Sequence, residues 1–368
     1  MSIILSGDNG VTFNDSSLQG AAASPFGLKN RIINGDMRID QRNAGASINN
    51  DTTGSQFSLD RWLIYGSQSA KFSIQQNAGS VTPPTGFTNY LGCTSTSAYT
   101  VTSTDEFDVI QRIEGFNTAD FAWGTANAKT VTLSFWVRSS LTGTFGGGIG
   151  NDPLNRMYVF SYTILAANTW EYKTVTISGD TTGTWNTNNT KGLQLYFSIG
   201  AGTAKQGTPG VWGSTALLAP TGQTSVVGTN GATFYITGVQ LEIGSTATPF
   251  ERRMYTNELQ LCQRYFQQLG SAVGVASASN FITGAIQFFV PMRATPTVST
   301  SNLMTVTDTN AIDATQSSTG IAIVSGTRAN NLGMNFTLTN LSGLTTNKLF
   351  ITVPTAYSNG FILVSSEL

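Results

Sequence analysis

Between residues 29 and 253 apolar and polar positions alternate in short runs broken by Gly, Asn and Thr, the period-two pattern of half-buried strands. Such runs occupy 71–76, 91–97, 107–114, 130–138, 158–164, 169–177 and 192–199, and 57–65 is apolar on its odd positions except Arg61. In the closing stretch 231–253, Phe234 and Ile236 carry one parity, whereas Val239, Leu241 and Ile243 carry the other, so the pattern slips by one at Gly238. A strand that keeps its core face across such a slip needs a bulge, and glycine is the usual residue there. Pro249 lacks the N–H that a ladder needs, which predicts the end of this body nearby. About nine or ten short strands joined by turns predict an antiparallel jelly-roll sandwich.

The pattern changes at Thr256–Gly270. Leu259, Cys262, Phe266 and Leu269 recur at helical spacing, with Asn257 as a cap and Gly270 as a stop. A helix of about 13 residues is marginal in water, so this stripe must be buried, either against its own sandwich or in a threefold coiled-coil seam of a homotrimer. Alternation then returns at 282–290, 303–307, 321–325, 332–338, 349–353 and 361–364 and predicts a second, smaller β-sandwich. The expected organisation is a docking segment at 1–28, a jelly roll at 29–253, a helical linker at 254–271 and a C-terminal β domain at 272–368.

Composition agrees with an all-β chain. Charged residues are 11% of the 368, against roughly a quarter in ordinary soluble domains, and Ser, Thr, Asn and 39 glycines take their place. A net charge of −1 without a basic run argues against nucleic acid as a partner. No stretch approaches the roughly 20 apolar residues of a membrane-spanning helix, and the start MSIILSGDNG lacks the features of a signal peptide. Cys93 and Cys262 fall in different predicted bodies, which predicts two free thiols and assembly in a reducing cytoplasm.

Several phrases resemble those of bacteriophage tail fibre and minor structural proteins. GVTFNDSSLQ, at 10–19, is similar to their N-terminal peptides. KNRIINGDMRIDQRNAG, LDRW, IQRIEGFNTADFAWGTANAK, VTLSFWVRSS, NTWEYKTVTI and ATFYITGVQLEIGSTATPFERR look, in this order, like their carbohydrate-binding-module-like jelly roll. VPMRATP is similar to their terminal lobes. The resemblance implies a virion appendage assembled in a bacterial host, attached to tail, baseplate or adaptor proteins through Val11, Phe13 and Leu18 and contacting a host-surface glycan. A decoration protein of the head or tail without a receptor, and a polysaccharide depolymerase, are the alternatives.

The chain contains no histidine, which removes Ser-His-Asp, Cys-His and histidine-metal chemistry. A carboxylate pair drawn from Asp105, Glu106, Asp108 and Glu114 is what a hydrolase could use; a binding protein without catalysis is expected. Glycan binding needs an aromatic plane with amide and hydroxyl groups at its edge. Alternation turns Trp136 and Arg138 away from the core, and likewise Tyr196 with Gln194, so the four could line one concave face or be covered by a loop or a neighbouring subunit. Trp170, Trp185 and Trp212 lie at strand starts or in loops and are expected to meet a partner. No cofactor is implied, apart from a structural calcium that related jelly rolls hold, which would draw on Asp36, Asp40 and Glu242.

Overall fold

A computed structural model describes residues 29–52, 56–270, 272–299, 330–342, 344, 346, 349–350 and 362–368, and the backbone alone of residue 300 and of strands at 4–6, 10–12, 18–19, 304–308, 311–318, 320–323 and 351–352. The docking candidates Val11, Phe13 and Leu18 lie outside the residues whose side chains are described. Two antiparallel sheets pack face to face. One has six strands in the order Glu171–Ile177, Val131–Ser139, Thr233–Ile243, Leu91–Ser95, Phe72–Gln76 and Ile48–Asn49. The other has seven, in the order Trp212–Gly213, Met157–Ile164, Gly143–Gly150, Lys191–Ala201, Glu106–Glu114, Trp62–Gly66 and Gln56–Leu59. Val131, Leu133, Phe135 and Val137 from the first sheet meet Leu193, Leu195, Phe197 and Ile199 from the second, all fully buried, as alternation predicts.

The long last strand, Thr233–Ile243, runs through the interior of the six-stranded sheet rather than along an edge. Its register against Val131–Ser139 shifts by one residue between the pairs Ser134–Gln240 and Trp136–Thr237, and Gly238 has φ +62°. This is the predicted bulge, with Phe234 and Ile236 before it and Val239 and Leu241 after it on the core face. The bulge turns the Val239 N–H out of the ladder to the Gly35 carbonyl at 2.9 Å. The leading segment is therefore clamped along this strand: Asn30 Nδ2 donates to the Val239 carbonyl, and Leu241 N donates to Asn30 Oδ1. Gln111 completes the clamp with two 2.9 Å bonds to the peptide of Ile33, as a neighbouring strand would.

The helix is shorter than its spacing predicts. It covers only Tyr255–Gln263, without a side-chain cap, and Phe266–Leu269 is a strand paired with Ile362–Ser365. Phe266 and Leu269 therefore do not continue a helical stripe, because their backbone groups are taken by the terminal strand. Cys262 packs with Ile33, Ile39 and Tyr265 of the same chain, and Phe266 lies 3.8 Å beneath the Arg42 guanidinium. The proposed trimer seam is thus spent inside one molecule. Among the described residues no helix is long and apolar enough to cross a membrane.

Beyond the helix a second buried cluster joins the three-stranded sheet of Phe266–Leu269, Ile362–Ser365 and Thr297–Thr300 to a seven-stranded sheet that includes Val273–Ala278, Phe281–Gln287 and Gly333–Thr339. The last residues return to the first sandwich. Glu367 is shared by Arg42, at 2.5 Å, and Arg61, which is 2% exposed and stacks 3.6 Å over Tyr265. Arg112 donates to the Leu368 carbonyl, and Arg293 to those of Ser366, Glu367 and Asn189. Arg264 and Tyr265 hold Glu114 from the other side. Together these contacts lock the two strand bodies to one another.

Asp105 makes a second lock, in the turn that leads into Glu106–Glu114. Burial alone would raise its pKa, but hydrogen bonds from Thr102 N and Oγ1, Ser67 Oγ and Tyr99 OH, at 2.7–2.8 Å, outweigh that and bring it down to about 2.

Two predictions follow from these locks. Glu367→Ala leaves Arg61 buried without its anion and should cost about 3–5 kcal/mol by denaturant titration; a loss under a tenth of that would show that the lock is idle. Because the folded pKa of Asp105 is depressed, its stabilisation is present above the unfolded pKa of 3.8 and is lost as pH falls towards 2. Asp105→Asn should therefore lower stability by about 2 kcal/mol at pH 6, and the gap to the wild type should close between pH 4 and pH 2.

Candidate functional site

Alternation tells which way a side chain points but not from which sheet, and this separates the expected binding residues. Trp136 lies on the outer face of the six-stranded sheet. Tyr196 lies on the outer face of the seven-stranded sheet, so the two sit on opposite sides of the sandwich and cannot line one surface.

Around Trp136 the sheet forms an open groove of about 640 Å³. Trp136 is half-buried and pairs across the ladder with Tyr172, which is 44% exposed; their ring centroids are 5.4 Å apart and the planes cross at 50°. The opposite wall is Phe87 edge-on to Phe250 at 5.2 Å, with the exposed Arg252 guanidinium 4.6 Å over Phe87 and 5.7 Å from Phe250. Gly238 forms part of the floor. A Cβ there would stand 2.6 Å from Phe87 and 3.2 Å from Trp136, so the glycine that makes the bulge also lets the two walls meet. Ser134 and Thr248 add hydroxyl-bearing side chains. Phe87, Tyr172, Phe250 and Arg252 escape sequence reasoning because three of them sit in loops whose approach to the sheet is a long-range fact. Tyr172 alone has a legible signal, since its strand alternates.

Arg138 shares the outer face with Trp136 but is engaged, donating from Nε to the Asn168 carbonyl at 2.9 Å and lying 5.5 Å from the Tyr235 ring. Gln194 is buried and accepts from Tyr196 OH at 3.2 Å. The loop tryptophans are not free platforms. Trp185 and Trp212 pack edge-on against Trp123 at 4.7 and 5.2 Å, and each indole N–H is bonded to a carbonyl, of Thr182 and Ser178 respectively. Trp170 packs on Tyr90 and donates to the Thr82 carbonyl. Such contacts order loops and leave little ring face for a partner.

Tyr196 is 5% exposed and sits beside Asp108 under the loop of residues 203–223. Of the carboxylates considered for hydrolysis, Asp105 and Glu114 are held by the bonds described above, and Glu106 pairs with Lys205 at 2.6 Å. The calcium candidates do not converge. Asp36 pairs with Arg38, Asp40 accepts from the backbone of Arg42, Asn43 and Gly45, and Glu242 accepts from Gln240 and Thr248. Among the described residues no group of three or more acidic, Cys or His side chains could hold a metal.

No protein-family model matches the chain, and no curated protein matches it. Solved structures that align with it include carbohydrate-binding modules and, over part of their length, glycoside hydrolases. The module CBM4 is 15% identical over 57% of this chain and 98% of its own, with a TM-score of 0.29. The family 11 carbohydrate-binding module of a cellulosomal cellulase of Clostridium thermocellum is 15% identical over 56% and 99%, with a TM-score of 0.27. The N-terminal cellulose-binding domain of Cellulomonas fimi β-1,4-glucanase C is 14% identical over 51% and 90%, with a TM-score of 0.24. At TM-scores of this size the sandwich is read from its own strand order, and the groove from its own rings.

Proposed function

We propose that the chain binds a host-surface glycan in the groove between Trp136–Tyr172 and Phe87–Phe250, as an appendage protein of a phage virion. One observation carries the binding reading. Aromatic rings, one exposed and three half-buried, are gathered at an outer sheet surface around a guanidinium and hydroxyl groups, the combination that receives a sugar ring's apolar face and its hydroxyl edge. Isolated surface aromatics are ordinary, but four lining one groove, one exposed and three half-buried, are not.

Ring geometry narrows the ligand. Planes that cross at 50° cannot both lie flat on a planar ribbon, so the groove suits an oligosaccharide that turns between units rather than a crystalline polysaccharide surface. The virion setting rests on the ordered phrases of the sequence. The helix offers no seam for a trimer, since Cys262 and Phe266 are already covered, and the proposal does not require one.

Binding should be detectable on a glycan array. Trp136→Ala and Tyr172→Ala should each weaken it about tenfold or more by calorimetry, because truncating a central aromatic anchor typically costs about 2 kcal/mol or more. The thermal midpoint should move little, since both rings face outward. An array silent with the wild-type protein, or variants that bind normally, would overturn the reading. Antibody raised to this face should block adsorption of intact virions, and unaffected adsorption would remove the appendage role.

A further inference from the structure

The other outer face of the sandwich is closed where the first is open. Along Glu106–Glu114, Asp108, Ile110 and Arg112 turn outward. Across the ladders Tyr65 and Ser198 stand opposite Asp108, and Leu63 and Tyr196 opposite Ile110. Residues 203–223 fold down on this surface, pinned by the two-residue parallel ribbon Gln206–Gly207 with Ala219–Pro220 and by a 2.8 Å bond from Leu218 N to the Lys205 carbonyl. They reach the sheet because the strand beneath presents Gly146 and Gly148 outward. A Cβ on Gly146 would stand 2.6 Å from Pro220, and one on Gly148 3.1 Å from the Leu217 carbonyl.

What this cover leaves unfilled is a cavity of about 270 Å³ lined by Tyr65, Asp108, Arg112, Tyr196, Lys205 and Leu218, among others. Asp108 is 0% exposed, and neither of its oxygens has a hydrogen bond; no other described buried carboxylate is left so. Burial, then the charge of Glu106, push its pKa well above the usual range; Lys205 and the nearby Ser198 hydroxyl work in the other direction without making a bond of sound geometry. An unsatisfied buried acceptor is costly, and an apolar residue there would be cheaper. The group is explained if a donor arrives from outside.

The rest of the lining says what kind of donor. Glu106 and Lys205 neutralise one another at 2.6 Å, and the two other charged side chains of the lining, Asp108 and Arg112, are of opposite formal sign, so the formal charges of the lining balance and select no ion. The walls are two tyrosine rings and aliphatic side chains. The volume lies just below the roughly 300–1,000 Å³ of sites for drug-sized ligands, which fits one ring and not a chain. We infer that this pocket is a second binding site, which takes a single neutral hydroxylated ring, such as the terminal residue of a glycan, with Asp108 accepting from a ring hydroxyl. The site goes beyond the groove reading and does not rest on it, because the two lie on opposite faces.

The test uses full-length protein carrying Trp136→Ala and Tyr172→Ala, so that any signal comes from the pocket. Saturation-transfer NMR is recorded with the methyl glycosides of glucose, galactose, mannose and N-acetylglucosamine at millimolar concentration. At least one should receive transfer, and Asp108→Ala, which removes the accepting carboxyl, should weaken its binding about tenfold, as loss of one hydrogen bond does. Asp108→Leu should abolish transfer while raising the thermal midpoint. Ala216→Trp, which fills the mouth and keeps the carboxylate, should also abolish transfer and decides the matter if the Leu variant does not fold. Absence of transfer to all of these glycosides, or transfer that survives both Asp108→Leu and Ala216→Trp, would overturn the inference.

Discussion

A single extra residue in the last sandwich strand organises much of this molecule. Without the bulge at Gly238, either Phe234 and Ile236 or Val239 and Leu241 would face solvent, because side chains alternate strictly along a strand. With it, both pairs stay in the core, the freed Val239 N–H captures the leading segment at Gly35, and the absent Cβ lets Phe87 approach Trp136. Core, chain threading and groove floor thus depend on one backbone conformation that costs glycine little and any other residue more.

The scarcity of charge has a matching structural meaning. Several of the charged side chains that the sandwich carries are turned to internal fastening: Arg42 and Arg61 on Glu367, Glu114 under Arg264, Asp180 against Arg156, and Arg253 beside Glu258. Buried pairs of this kind contribute modest net stability, since desolvation offsets much of the attraction, but they penalise alternative packings severely by stranding a charge. Here all but Asp180–Arg156, which lies within the sandwich, fix how the terminal strand and helix sit on it. The surface is left to Thr, Ser, Asn and Gly, which cover sheet faces and loops without imposing a charge preference on a partner.

Much of the fold is legible because burial and alternation coincide. Val131–Ser139 and Lys191–Ala201 read correctly, as does the slip at Gly238. Gly143–Gly150 is missed because its outward positions are glycines shaped by the loop above, so it has no polar face to alternate with. The helix is over-extended because Phe266 and Leu269 satisfy a helical spacing by chance, while the partner that makes them a strand lies nearly a hundred residues away. The segment 57–65 splits into two strands at Arg61, whose φ of +70° serves a tight turn that a polar residue on an apolar parity only hints at.

The site was legible to a lesser degree, and for a geometric reason. Parity separates inward from outward, which is enough to pick Trp136 and Tyr196 from the other aromatics. It does not say which sheet a strand joins, and in a sandwich that choice moves a residue to the opposite side of the molecule. Nor does it say which outward face a loop will cover. Here residues 203–223 close the seven-stranded face over Tyr196, whereas the six-stranded face keeps Trp136 and Tyr172 at the surface. The asymmetry follows from the strands themselves. A floor of Gly146 and Gly148 admits a loop to van der Waals contact, and a floor bearing Trp136 holds loops off and leaves them standing as walls.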